Sequence, residues 1–127
     1  MSSGIKAMLF AVPLVLTQPL VAGVNGTYRV SGSEKDHGEK FTFTGSVKIT
    51  NYKSGIYNLK FSDGEQIALD FALDKRLKDG LKSQTVTGSN NRITTSATFQ
   101  MINGRYQVQF SYRSKDGNVR GQGSGSK

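Results

Sequence analysis

The sequence predicts an all-β fold: an antiparallel up-and-down meander that closes into a small soluble β-barrel of roughly eight strands. Three observations carry this. Apolar and polar residues alternate with a period of two in segment after segment, as a half-buried strand requires. The connectors are short and rich in Gly, Asn, Asp and Ser, which makes consecutive strands antiparallel neighbours. The chain has 127 residues and no cysteine, so the domain stands on packing alone. A domain of ~100 residues can do so when a closed sheet buries its apolar side and leaves few edges.

The first 23 residues come before the meander and read as a secretory signal peptide. Lys6 supplies a positive start, Ala7 to Leu16 is an apolar run, and Val21 and Gly23 are small residues at the −3 and −1 positions of a cut after Gly23. The run is shorter than the ~20 residues that span a bilayer and contains Pro13. Residues 24–127 then form a single barrel domain. An exported chain without cysteine suits a bacterial periplasmic or secreted protein.

The strands follow in order. In "GTYRVSG", Tyr28 and Val30 share a face. In "KFTFTGSVKIT", Phe41, Phe43, Val47 and Ile49 lie opposite Thr42, Thr44, Ser46 and Lys48. "GIYNLKFS" sets Tyr57, Leu59 and Phe61 together, and "RITTSATFQM" does so with Ile93, Thr95, Ala97, Phe99 and Met101. In "GRYQVQFSYR", Tyr106, Val108, Phe110 and Tyr112 alternate with Arg105, Gln107, Gln109, Ser111 and Arg113. Asn103-Gly104, just before it, is a type I′ hairpin candidate. "NVRGQGSG" closes the chain, and its glycine-rich tail reads as fraying. Residues 62–80 fit two patterns. As strand, Ile67, Leu69, Phe71 and Leu73 alternate with polar and small residues. As helix over residues 63–79, Ser62 and Glu65 form a capping box and the helix covers a barrel end. Continuing alternation and Asp63-Gly64 favour strand for residues 65–74.

At "GTYRVSGS", Gly26 to Ser33, the chain resembles the first strand of calycin-type barrels, the lipocalin and avidin superfamily. Those open with Gly-x-Trp, and Gly26-Thr27-Tyr28 stands in that place. "FTGSV", Phe43 to Val47, is similar to an avidin-type second strand. The resemblance covers about two strands and the overall meander. It implies a barrel that can hold a ligand inside. The chain has no tryptophan, so the tryptophan-rich biotin site of avidins is not carried over, and lipocalin disulfides have no counterpart.

Catalysis has little to work with. His37 is the one histidine, set among Glu34, Asp36 and Glu39 in an expected surface loop, with no second histidine or cysteine to complete a metal site. No carboxylate pair is placed toward a common substrate, and no cofactor or metal is implied. The expected function is therefore an exported, non-catalytic binding protein with an apolar or amphipathic ligand in the barrel or a protein partner on its loops. Tyr28, Tyr57, Tyr106 and Tyr112 are the candidate ligand-binding residues, since inward phenols can line a pocket mouth.

A formal charge of +8 points to a second reading. A structural or interaction protein of the cell envelope would meet an anionic polymer or lipid surface through Arg105, Arg113, Lys115 and Arg120. A third is a hydrolase inhibitor acting through loops such as Ser33–Glu39. Nucleic acid is not the expected partner, because the aromatic residues that could stack bases face the core. A membrane-spanning barrel is not expected either, because the outer face carries Lys48, Lys60, Arg105 and Arg113.

Overall fold

The structure, a computed structural model, describes residues 23–127. The expected signal peptide lies outside the described residues except for Gly23. Eight strands follow in order: β1 (Gly26–Asp36), β2 (Glu39–Thr50), β3 (Ser54–Phe61), β4 (Gln66–Leu73), β5 (Ser83–Ser89), β6 (Ile93–Ile102), β7 (Arg105–Ser114) and β8 (Val119–Ser126). Every strand pairs antiparallel with the next, and β8 pairs back to β1, so the sheet is a closed barrel. This is the general architecture that the calycin resemblance implied. No helix occurs among the described residues, and residues 65–74 contribute β4 as the alternation required.

The core is the set of inward positions. Tyr28, Phe43, Val47, Tyr57, Leu59, Phe71, Val86, Phe99, Val108 and Phe110 are all buried. Tyr57 meets Phe110 across the barrel with ring centres 4.9 Å apart, and rings also pack between neighbouring strands, Tyr57 4.8 Å from Phe71 and Phe43 5.7 Å from Phe61. Burial of such rings is the main favourable term in a fold with no covalent cross-link. The outer positions of β1, β2, β7 and β8 are instead mostly Ser, Thr, Gln, Lys and Arg.

Two local readings are corrected and one strand is added. The tail "GQGSGS" does not fray. It lies within β8, which pairs with both β7 and β1 and closes the barrel. Its glycines make room for rings: a Cβ on Gly121 would sit 2.2 Å from the Tyr112 ring, and one on Gly123 would sit 2.7 Å from that of Phe110. The supposed loop Ser33–Glu39 is almost all strand. Only His37 and Gly38 turn, both at positive φ (51° and 87°), as a type I′ hairpin demands. Asn103 and Gly104 adopt the same signs, as expected of that pair. Finally, "SQTVTGS" forms β5, a strand whose single large apolar residue, Val86, was too weak a signal to mark it.

The closure is uneven between β4 and β5, where only Ala72↔Ser89 and Leu73↔Gly88 are paired. Beyond them the irregular segment 74–82 runs beside β5. Asp74 N–H donates to Thr87 O (2.8 Å), and the Gln84 amide both donates to Arg76 O and accepts from Lys78 N–H, each at 3.0 Å. A side-chain amide thus takes over the role of a strand ladder. Leu77, within this segment, is buried beneath the barrel, and its N–H donates to Tyr52 O.

Candidate functional site

The four tyrosines expected to line a pocket are all buried, and each hydroxyl has a partner in the chain. Tyr28 donates to Val24 O (2.7 Å), and Tyr57 shares a hydrogen bond with Thr95 Oγ1 (2.6 Å). The Tyr106 oxygen accepts from Gly80 N–H, and Tyr112 donates to Glu34 Oε1 (2.6 Å). Burial pushes the phenols of Tyr28 and Tyr57 well above their ordinary range. Burial does the same to Tyr112, reinforced by its bond to Glu34. The four do not form one ring around a mouth. Tyr28 and Tyr106 lie near the end where the chain enters, Tyr57 lies in the middle of β3, and Tyr112 lies near the far end of β7. Burial also raises the pKa of the Glu34 carboxyl, against the opposing effect of the Tyr112 hydrogen bond.

Outside the barrel the charges fall into a pattern that register alone reveals. Lys40 is directly opposite Lys35, Lys35 opposite Arg120, and Arg120 opposite Arg113. Four cations therefore occupy consecutive positions on β2, β1, β8 and β7, and all four side chains are exposed. At about 4.8 Å between strands the row spans about 14 Å. Among the described residues no Lys or Arg side chain lies within ion-pair distance of a carboxylate, so none of the four is matched by one. Like charges directly opposite on a sheet are destabilising. Lys115 and Arg92 extend the patch, their backbones joined by a 3.0 Å hydrogen bond. The nearby Asp116 is tied into its own turn by Ser114 Oγ and Asn118 N–H, which hold its carboxyl below the usual range.

The structure thus gathers Arg113, Lys115 and Arg120, as the sequence proposed, but not Arg105. That residue begins the same strand eight positions earlier, about 27 Å away at an extended rise. It donates to Lys127 O (3.3 Å) at the opposite end of the barrel. Lys35, Lys40 and Arg92 were missed. Lys35 lies in a segment read as loop and Lys40 at the start of one read as strand, and only the pairing of β1 with β2 and β8 brings them into line.

Beside the row lies an open groove of about 920 Å³ that crosses β4 to β8 on the outer surface. It takes three successive positions from each of the last four strands. The middle ones, Gly88, Thr95, Tyr112 and Gly121, are glycine or turn their side chains inward, so backbone forms the floor. One rim includes Arg113 and Arg120; the other includes Thr87, Ser96, Ser111 and Gln122. His37 stands apart in its turn, exposed, with Nδ1 2.6 Å from Asp36 Oδ1. No group of three or more His, Cys, Asp or Glu suited to a metal occurs among the described residues. No protein-family model matches this chain, and no curated protein does.

Proposed function

We propose that this chain is an exported, non-catalytic binding protein that holds an anionic polymer or surface of the cell envelope against the outside of its barrel. The observation that supports it most is the row Lys40, Lys35, Arg120 and Arg113. An uncompensated row of like charges costs stability in the free protein, and an anionic ligand reverses that cost. Export is supported by the sequence of residues 1–23, and the absence of a catalytic role by the lack of paired acid, base or nucleophile in the sequence. The calycin resemblance of the first strands belongs to the same reading at the level of fold. The ligand is placed outside, not inside, because the phenols are engaged within the chain and rings fill the axis. An inhibitory contact through Ser33–Glu39 loses its support, since that segment offers only a two-residue turn.

The test is polyphosphate binding by the protein and by the double variant Lys35→Gln, Arg120→Gln. Binding should weaken steeply between ~50 and ~200 mM salt, and the variant should bind about tenfold more weakly while keeping its β-sheet circular dichroism. Affinity independent of both salt and the substitutions would overturn the reading.

A further inference from the structure

From the groove beside the cation row we infer that the ligand is an acidic polysaccharide, held as a single extended chain across the strands. This rests on the proposed anionic reading and names its ligand class. Three features of the groove carry it. Its rims are separated by two residues along each strand, about 7 Å, which admits one sugar chain and excludes the flat face of a lipid bilayer. Its direction runs across the strands, so successive contacts repeat about every 4.8 Å, close to the repeat of one pyranose in an extended glycan. The two rims differ in chemistry. Arg113 and Arg120 on one side suit carboxylates, which guanidinium groups grip through paired N–H donors.

On the other rim the hydroxyls of Ser96 and Ser111 and the Gln122 amide have no hydrogen-bond partner within the described residues, while Thr87, at the β5 end, is engaged with the Asp74 carboxylate. They are both donors and acceptors, the complement of sugar hydroxyls. Nucleic acid fits less well. The one aromatic ring at the groove, Tyr112, faces the core and hydrogen-bonds Glu34, which leaves no platform for base stacking. The register continues both rims past the groove, with Lys35 and Lys40 on one side and Ser33 and Thr42 on the other. A chain lying there would meet a cation and a neutral polar side chain at every strand from β7 round to β2.

The experiment compares polygalacturonate, polyphosphate and neutral dextran as probes against the folded protein and two groove-filling variants, Ser111→Trp and Gln122→Trp. Both residues are exposed, so the variants test the groove without burdening the core. Polygalacturonate should bind about tenfold more tightly than polyphosphate of equal charge. Each variant should remove that preference, and dextran should not bind. Equal affinity for both polyanions, untouched by either variant, would overturn the groove inference while leaving the cation row in place. Failure of both polyanions to bind would overturn the row reading and this inference together.

Discussion

The two ends of the barrel treat their charged groups in opposite ways. Where the chain enters, charges are tied into the fold. Asp79 accepts from Val24 N–H (2.7 Å) and from the Tyr52 hydroxyl (2.8 Å). That second bond is the main reason the Tyr52 phenol titrates above its ordinary range. Lys127 Nζ donates to the carbonyls of Gly23 and Asn25, and the Arg76 guanidinium lies 4.4 Å from the centre of the Tyr52 ring. At the far end Lys35, Lys40, Arg113 and Arg120 stand in register without a carboxylate. The difference teaches that cationic composition is not itself a function. Both ends carry Lys and Arg, but only the far end sets four of them directly opposite one another on consecutive strands.

Four predictions break or sharpen that contrast. The largest effect belongs to the tied end. Leu77→Ala removes a buried side chain from beneath the barrel and should cost about 3 kcal/mol, within the range for such deletions. Denaturant unfolding measures it, and a cost under ~1 kcal/mol would show that segment 74–82 is only draped on the barrel. Next, Asp79→Ala leaves the Val24 N–H without its acceptor and should cost ~2 kcal/mol. Asp79→Asn, which keeps an acceptor, should recover much of that loss; equal destabilisation by both variants would mean that the carboxylate charge matters more than the hydrogen bonds.

A smaller effect sits under the cation row. Glu34 is the one buried carboxyl among the described residues, and burial raises its pKa in the fold. The neutral acid is therefore favoured in the native state. Its stabilising contribution is complete below the unfolded pKa and is lost as pH rises through the higher folded value. Unfolding free energy should thus fall over that interval, and Glu34→Gln, which still accepts from Tyr112, should flatten the profile. An unchanged slope in the variant would assign the pH dependence elsewhere. The smallest effect on stability is expected for Arg113→Gln with Arg120→Gln. Removing two opposed like charges should shift stability by less than ~0.5 kcal/mol, toward greater stability at low salt. A loss above ~1 kcal/mol would mean that the arginines hold the sheet together and are not kept for a ligand.

The alternation of single strands was legible in the sequence, and so was the barrel. Phe99, Val108 and Phe110 are buried where the pattern put them, and Gln66–Leu73 form a strand because Leu69, Phe71 and Leu73 share a face. Two strands were hard to read for different reasons. β5 has one large apolar residue, and β8 has glycines where the neighbouring rings of Tyr112 and Phe110 fill the space. The Glu34–Tyr112 pair spans 78 positions of sequence, and the cation row depends on three separate strand registers. Neither has a local signal. Arg105 and Arg113 look equivalent along one strand, yet they fall at opposite ends of the molecule.

The proposed ligand lies on the outer row and groove and not inside the barrel. Amide chemical-shift mapping during titration with polygalacturonate tests it most directly. Shifts are expected at Lys35, Lys40, Ser96, Ser111, Arg113 and Arg120, fading as salt is raised, with the amides of Tyr28 and Tyr57 unmoved. Shifts concentrated at Tyr28, Tyr57 and Phe110, or around Asp79 and Lys127 at the tied end, would contradict it.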